Sequence, residues 1–239
     1  MAKPISVSEL NALIGTARCP AIFDVCIDED FKDDPYLIPG SKRHPYRDIA
    51  GILDELGTAP AIIVCQKGLK LSQGVAAWLN AEGIEAHYLE GGMYGWRGAQ
   101  KMRLPAAEIP TATDGPSLWA VQTDPDITQL TWLWLLKRFI ERNARILFVK
   151  PDQVSNVAEK FGAATLPDTS SPDQELKNRY QLNDERLRTV LATANTNGIR
   201  RLWDGIKKLQ QNDQTMLEAG LAICDALYAY TGKDQVSEL

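Results

Sequence analysis

A short β-branched run that ends in a cysteine constrains this chain more than any other feature. Residues 61–64, Ala-Ile-Ile-Val, predict a strand covered on both faces, because the run is continuously apolar. Cys65 stands where that strand ends, and residues 66–70 form a turn that contains glycine and two lysines. From Leu71 onward, apolar residues recur at helical spacing. The cysteine is therefore expected at the junction of a strand and a helix.

A thiol at such a junction is expected to be reactive. A turn that opens a helix points backbone N–H groups inward and adds the positive end of the helix dipole. These donors, together with nearby lysines, stabilise a thiolate, and a glycine allows backbone dihedrals that are closed to other residues. The pattern predicts a nucleophilic Cys65 in an anion-binding cup, with these substrate-binding residues: Gln66, Lys67, Gly68, Leu69 and Lys70.

Four motifs in order give the first half of the chain a family resemblance. The turn from Cys65 to Lys70 resembles the active-site loop of rhodaneses, the sulfurtransferases that carry a persulfide on cysteine. Residues 21–25, Ala-Ile-Phe-Asp-Val, are similar to the strand that ends in Asp-Val-Arg in that family, and residues 38–41, Ile-Pro-Gly-Ser, are similar to its Ile-Pro-Gly-Ala turn. Residues 89–96 resemble its Leu-x-Gly-Gly-x-x-x-Trp ending. The resemblance covers roughly residues 5–100.

This resemblance implies both a fold and an activity. Residues 1–103 are expected to form an α/β domain with a rhodanese-like parallel five-stranded sheet and helices on both faces. The implied activity is sulfur transfer through a persulfide on Cys65, from thiosulfate or a similar small anionic donor to a thiol or cyanide acceptor, with no cofactor. Residues 28–36 are acidic and are interpreted as an exposed loop, whereas residues 48–56 predict a helix.

Four further residues are expected to support the loop. Asp24 is expected to anchor it through backbone hydrogen bonds. Cys26 stands where the rhodanese pattern has arginine; an inert residue is the favoured interpretation, and a resolving thiol that attacks the Cys65 persulfide is the alternative. Arg43 is interpreted as a surface residue that could line the entrance. Ser72 is interpreted as a first-turn helix residue rather than as a hydrogen-bond donor to sulfur.

A change of composition marks a second domain. Residues 104–116 are rich in proline and small residues and predict an extended linker, so that residues 117–239 form a separate, mainly α-helical domain. Its predicted strands are residues 118–121 and 145–149. Residues 126–140 are apolar nearly all round and predict a buried helix. The remaining predictions are a helix around residues 154–161, a loop at 167–173, and helices at 174–195, 197–210 and 213–231.

The second domain has a resemblance of its own. Residues 118–123, Leu-Trp-Ala-Val-Gln-Thr, resemble the opening of the C-terminal domain of chromate-resistance proteins, and the similarity continues to about residue 232. That family has an arginine-rich opening, a Cys-Pro-Trp before the core helix and a histidine- or cysteine-bearing segment downstream. Here Thr131-Trp132-Leu133 stands near the second of these, and the 160s to 180s contain neither histidine nor cysteine. The resemblance therefore implies the scaffold without those residues.

Composition excludes several classes of function. The net charge of −5 disfavours a general nucleic-acid binder, and the longest apolar run, residues 130–136, is too short to cross a bilayer. Because the N-terminus has no apolar signal core, we expect a cytoplasmic protein without membrane partners. The four cysteines contain no Cys-x-x-Cys pair and there are only two histidines, so no metal site is predicted. The oligomeric state stays open.

Two alternatives to sulfur transfer remain. The first is a rhodanese-like module that binds an anion or a partner without catalysis, in connection with oxyanion (chromate) stress; the cysteine at position 26 and the missing residues of the second domain favour it. The second is phosphatase or arsenate-reductase chemistry, whose sites resemble Cys-x5-Arg. Leu71 stands at the arginine position of that pattern, and no arginine follows until Arg97, so this alternative is disfavoured.

Overall fold

The computed structural model describes residues 2–110, 115–167, 172–210 and 212–231. The chain divides into two compact units, Met1–Ala107 and Glu108–Leu239, and each is described by itself.

The first unit is an α/β structure. Its strands are β1 (Lys3–Ile5), β2 (Ala21–Asp24), β3 (Tyr36–Leu37), β4 (Ser41–Arg43), β5 (Ala61–Val64), β6 (Ala86–Leu89) and β7 (Leu104–Pro105). Its helices are α1 (Val7–Leu13), α2 (Asp28–Asp33), α3 (Ile49–Leu56), α4 (Lys70–Ala81) and α5 (Gly92–Gly98). Five strands form one sheet in the order β1-β6-β5-β2-β4, and every neighbouring pair is parallel. The expected parallel five-stranded sheet is confirmed.

The central strand of this sheet carries the cysteine. All four residues of β5 are fully buried, so both faces of the strand are covered, as its continuous apolar run predicts. Asp24 of β2 lies in register with Val64 of β5, and the Val25 N–H donates to the Val64 carbonyl at 2.8 Å. The carboxyl ends of β2 and β5 are therefore neighbours, which brings the residues that follow the two strands together.

The acidic stretch after β2 was wrongly predicted to be a loop. Residues Asp28–Asp33 form α2, and Tyr36–Leu37 form β3, which pairs antiparallel with β7. The carboxylates of Asp28, Glu29 and Asp30 lie in the first helical turn, where the positive end of the helix dipole favours negative charge. Helix formation therefore follows from the same acidic run that was taken as a sign of an irregular segment.

Part of the predicted linker is ordered. Leu104 is fully buried in β7, and Ala106–Glu108 form a 3-10 turn. Residues 111–114 of the predicted linker lie outside the described residues.

The second unit is mainly helical around a small sheet. Its strands are β8 (Leu118–Gln122), β9 (Arg145–Val149) and β10 (Ala164–Thr165), in the parallel order β10-β8-β9. Its helices are α6 (Ile127–Leu135), α7 (Val154–Phe161), α8 (Pro172–Asn178), α9 (Glu185–Ala194), α10 (Asn197–Leu209) and α11 (Asp213–Thr231), and a π-helical segment, Leu136–Ile140, continues α6. The strand β10 was not predicted, and the helix predicted over 174–195 is two helices. Residues 168–171 of the predicted loop lie outside the described residues.

Aromatic side chains and one ion pair hold the core of the second unit. Every residue of α6 except Thr128 and Gln129 is buried, which confirms the predicted core helix. The centre of the Trp134 ring lies 5.3 Å from the centre of the Phe139 ring and 5.6 Å from that of the Tyr228 ring. The carboxylate of Asp225 on α11 accepts hydrogen bonds from the Trp134 indole and from two nitrogens of Arg138, each at 2.9 Å. These contacts tie α11 to α6 and to the π-helical segment.

Among the described residues, no helix combines the length and the apolar character needed to cross a membrane.

Candidate active site

Cys65 lies directly after β5 and is held by the start of α5. Its carbonyl accepts a hydrogen bond from the Met93 N–H at 3.0 Å, and the Gln66 carbonyl accepts one from the Tyr94 N–H at 3.0 Å. The residue is 4% exposed. The backbone around the cysteine is thus fixed by two contacts to one helix, and only a small part of the residue reaches the surface.

Two glycines allow the loop and α5 to approach this closely. Gly68 and Gly92 both have positive φ, +67° and +56°. A Cβ at Gly68 would lie 2.7 Å from the Gly92 nitrogen, and a Cβ at Gly92 would meet the Cys65 carbonyl oxygen and the Gly68 nitrogen. Backbone therefore packs on backbone here. In the sequence, Gly92 is recognisable only as part of the Leu-x-Gly-Gly-x-x-x-Trp motif. The requirement for glycine at this position follows from the close contact between the loop and α5.

Ser72 lies in the first turn of α4, as predicted, and also reaches the sulfur. Its Oγ lies 3.1 Å from Cys65 Sγ and 3.3 Å from the Leu69 carbonyl oxygen, to which the hydroxyl can donate. The hydroxyl hydrogen has two possible acceptors, and a negatively charged sulfur is the stronger one. Ser72 is fully buried, so its hydroxyl faces no competing solvent. The interpretation of Ser72 as a helix residue alone did not foresee this contact.

The loop between Cys65 and α4 leaves backbone donors free. Within the described part of the chain, no N–H group of residues 66–71 donates a hydrogen bond to another protein group. Lys67, Leu69 and Lys70 are exposed, whereas Gly68 is buried and Gln66 is half-buried. A run of unpaired N–H groups at the start of a helix is an arrangement that binds anions.

Asp24 and Cys26 occupy the neighbouring strand end. Asp24 is 1% exposed, and its Oδ1 accepts the Cys26 N–H at 2.8 Å, whereas its Oδ2 has no hydrogen-bond partner among the described residues. Burial raises the pKa of Asp24, although the hydrogen bonds from Cys26 oppose that shift. Burial raises the pKa of Cys26 strongly, and the negative charge of Asp24 adds to the effect. The Cys26 thiol is therefore held in its protonated form, which does not suit a resolving nucleophile.

Arg43 is engaged with α2. Its guanidinium donates to the Cys26 carbonyl and to the Asp28 carboxylate, both at 2.9 Å, and lies 4.0 Å from the centre of the Phe31 ring. These contacts fix the segment that joins β2 to α2.

A cavity of about 50 Å³ adjoins the Cys65 loop. It is bounded by the ends of β2 and β5, by α2 and by the start of α5, and four of its five charged lining residues are acidic. The lining residues are Asp24, Cys26, Asp30, Phe31, Asp33, Asp34, Tyr36, Gln66, Met93, Tyr94 and Arg97. Sequence analysis did not find this cavity, because residues 28–36 were taken as an exposed loop and not as a wall beside the cysteine.

The first unit is similar to solved rhodanese-like structures. A rhodanese-like domain protein from Staphylococcus aureus is 33% identical over 39% of this chain and 90% of that chain, with a TM-score of 0.35. A protein from Staphylococcus saprophyticus subsp. saprophyticus is 30% identical over 40% of this chain and 93% of that chain, also with a TM-score of 0.35. The first unit is a rhodanese-like domain.

Other comparisons bear on each half of the chain. A thiosulfate sulfurtransferase from Pseudomonas aeruginosa is 23% identical to the rhodanese-like domain, over 43% of this chain and 19% of that chain, with a TM-score of 0.37. Residues 119–231 match the family model described as ChrB, C-terminal domain. No curated protein matches the chain. The rhodanese-like domain is therefore joined to a ChrB C-terminal domain, which agrees with both resemblances seen in the sequence.

Within the described ranges, no three side chains of histidine, cysteine, aspartate or glutamate are grouped so that they could hold a metal ion.

Proposed function

We propose that the chain is a sulfurtransferase that carries sulfane sulfur as a persulfide on Cys65. The observation that carries this proposal is the set of hydrogen-bond donors around the Cys65 sulfur. The Ser72 hydroxyl lies 3.1 Å from Sγ, and the loop that follows Cys65 presents N–H groups with no partner among the described residues. Such donors stabilise a thiolate and a persulfide anion, and they recognise an anionic donor.

The reaction proceeds in two nucleophilic steps. The Cys65 thiolate attacks the outer sulfur of a donor such as thiosulfate; the S–S bond of the donor breaks, and sulfite leaves with the electron pair. The thiolate of the acceptor then attacks the outer sulfur of the Cys65 persulfide. A new S–S bond forms on the acceptor, and Cys65 leaves as the thiolate, so the enzyme returns to its first state. Cyanide accepts the sulfur in the same way and becomes thiocyanate.

The exposure of Cys65 limits what can react. Because only 4% of Cys65 is exposed, we expect a small terminal sulfur atom to react with it more readily than a bulky reacting centre. This favours a donor whose sulfane sulfur stands at the end of a small molecule or of an extended side chain.

Thiocyanate release from thiosulfate and cyanide tests the proposal. We expect turnover by the full chain and none by Cys65→Ala, whereas Cys224→Ala keeps the activity because Cys224 is buried in the second unit. A mass gain of one sulfur atom on Cys65, reversed by dithiothreitol, would identify the intermediate. If the wild-type chain and Cys65→Ala are equally inactive with several donors and neither gains sulfur, the proposal is wrong.

The second candidate is a rhodanese-like module that binds an anion or a partner without turnover. The match of residues 119–231 to the ChrB C-terminal domain favours it, since half of the chain then resembles a protein of chromate resistance. This candidate predicts binding of an oxyanion to the Cys65 loop without sulfur transfer. Isothermal titration with thiosulfate, sulfate and chromate, on wild type and Lys67→Ala, distinguishes it from the enzyme.

A further inference from the structure

The cavity beside the Cys65 loop lies at the carboxyl ends of β2 and β5. Gln66 of the loop and Cys26 at the end of β2 both line it, and β2 and β5 are adjacent parallel strands. Met93, whose N–H donates to the Cys65 carbonyl, forms part of the same wall. A molecule bound there contacts Gln66, the residue that directly follows Cys65 in the chain.

The cavity holds more negative charge than its own cations neutralise. Four carboxylates and one guanidinium line it: Asp24, Asp30, Asp33, Asp34 and Arg97. Asp34 is paired with Arg97 at 3.0 Å and with Arg103 at 2.8 Å. Among the described residues, Asp30 and Asp33 have no ion-pair partner within 4.0 Å, so their charge is available to a ligand.

A buried carboxylate oxygen points to a missing donor. Asp24 is 1% exposed and belongs to the cavity wall, and its Oδ2 has no hydrogen-bond partner among the described residues. An unpaired buried carboxylate oxygen is costly unless a ligand or a cation satisfies it. A positively charged N–H donor would neutralise the excess negative charge of the cavity and would also donate a hydrogen bond to the Asp24 carboxylate.

We propose that this cavity receives the positively charged group of the acceptor thiol, so that the chain passes sulfur preferentially to cationic aminothiols. The proposal rests on the sulfur transfer proposed above and names the class of its acceptor. The ammonium group lies among the carboxylates of Asp24, Asp30 and Asp33, and the acceptor sulfur faces the Cys65 persulfide. A volume of about 50 Å³ is sufficient for an ammonium group and the short chain that carries it.

The transfer step is balanced without a further reactant. The acceptor thiolate forms an S–S bond to the outer sulfur of Cys65, and the bond between that sulfur and Cys65 Sγ breaks. Its electron pair stays on Sγ, which becomes the thiolate. The carboxylates do not exchange protons with the reacting sulfurs; they increase the local concentration of a cationic acceptor and disfavour an anionic one.

The test compares three acceptors of similar length and different charge. The full chain is first loaded with sulfur at Cys65, and the rate of sulfur removal is measured by mass spectrometry with cysteamine, 2-mercaptoethanol and 3-mercaptopropionate. Rates are compared at equal thiolate concentration and constant ionic strength. We expect cysteamine to react about tenfold faster than 3-mercaptopropionate, since two uncompensated carboxylates act at short range.

Matched variants separate this acceptor site from general effects. Asp30→Asn combined with Asp33→Asn should bring the ratio of the rates with cysteamine and 3-mercaptopropionate toward one. Glu29→Gln, on the same helix but outside the cavity lining, should keep the wild-type ratio. Cys26→Arg should also remove the preference, because a guanidinium placed at the cavity wall occupies the place of the ligand's charge.

The outcomes are distinguishable. Equal rates for all three acceptors on a persulfide-loaded wild-type chain overturn the acceptor site and leave the sulfur transfer intact. A preference that survives in the Asp30→Asn, Asp33→Asn variant also overturns it. Failure of Cys65 to gain sulfur from any donor overturns both proposals.

Discussion

At the residue scale, the chemistry of the first unit depends on how Cys65 and its neighbours share hydrogen bonds. The Ser72 hydroxyl lies near both the Cys65 sulfur and the Leu69 carbonyl. When the sulfur is negatively charged, the hydroxyl gains more by donating to it, since hydrogen bonds to charged groups are roughly twice as strong as neutral ones. Under the proposed function, Ser72 is therefore a selective donor for the thiolate and persulfide states.

We expect Ser72→Ala to slow sulfur transfer by about tenfold to a hundredfold, because a hydrogen bond to a charged group contributes about 1.5–3 kcal/mol. The measurement is thiocyanate release at saturating thiosulfate. Ser8→Ala, at an exposed position of α1, serves as the control and should be unchanged. An undiminished rate in Ser72→Ala would show that the loop amides stabilise the sulfur without the hydroxyl.

Asp24 gives the first unit a pH-dependent stability. Because burial raises its pKa above the ordinary value of 3.8, the folded chain holds a proton that the unfolded chain has already released. The contribution of Asp24 to the free energy of unfolding is thus fully present below pH 3.8 and is lost as the pH rises through the raised folded-state pKa. The shift has the opposite sign to that of an ion-paired carboxylate.

We expect Asp24→Asn to remove this loss, so that its free energy of unfolding changes less than that of the wild type as the pH rises from 4 to 7. Asparagine keeps the acceptor for the Cys26 N–H, so the loop contact is retained. Urea unfolding at several pH values measures the effect, with Asp54→Asn, at an exposed position, as the control. Parallel pH profiles for all three chains would contradict the assignment.

At the scale of elements, the loop after β5 is shaped by α5 as much as by its own sequence. Met93 and Tyr94 donate their N–H groups to the carbonyls of Cys65 and Gln66, and this is possible only because Gly68 and Gly92 have no side chains. Gly92, the first residue of α5, is therefore part of the site, because it determines how closely α5 approaches the loop. The loop, the start of α4 and the start of α5 together form the site around Cys65.

We expect Gly92→Ala to destabilise the first unit by about 1–3 kcal/mol, since its Cβ would meet backbone atoms and its φ is unfavourable for alanine. Gly98→Ala in the same helix is the matched control. No atom lies within 4 Å of a Cβ at Gly98, so this change should be neutral or slightly stabilising. Chemical denaturation measures both variants. A similar stability for the two would mean that the loop can move away from α5.

At the scale of the whole molecule, each unit has a buried core of its own. The first is built around β5 and the second around α6, where Asp225 joins Trp134 and Arg138. A variant that weakens one core should therefore lower the unfolding temperature of the unit that contains that core.

We expect Gly92→Ala and Asp225→Ala to lower the unfolding temperatures of different transitions in a calorimetric scan of the full chain. Asp225→Ala removes three hydrogen bonds and leaves Arg138 without its carboxylate, at a cost of about 2–4 kcal/mol. Sulfur transfer should persist in Asp225→Ala below its transition. A single transition lowered equally by both variants would show that the two units unfold together.

The sequence by itself determined the parallel sheet, the place of Cys65 at a strand end and the helical character of the second half. These follow from local patterns: a continuous apolar strand, a glycine-containing turn and apolar residues at helical spacing. Ser72 was named from its place at the start of a predicted helix, whereas Asp24 and Cys26 were named because they lie in the segment that resembles the Asp-Val-Arg strand of rhodaneses.

Only the tertiary structure decided which groups surround the sulfur. The helix α2, the acidic cavity and the contact between Gly68 and Gly92 depend on segments far apart in sequence, and no periodicity records their proximity. The acidic run at residues 28–34 is polar whether it is a loop or a cavity wall, so its composition does not distinguish the two. The tertiary fold made the difference, because it placed the carboxylates of Asp30 and Asp33 around the same cavity as the buried Asp24 side chain.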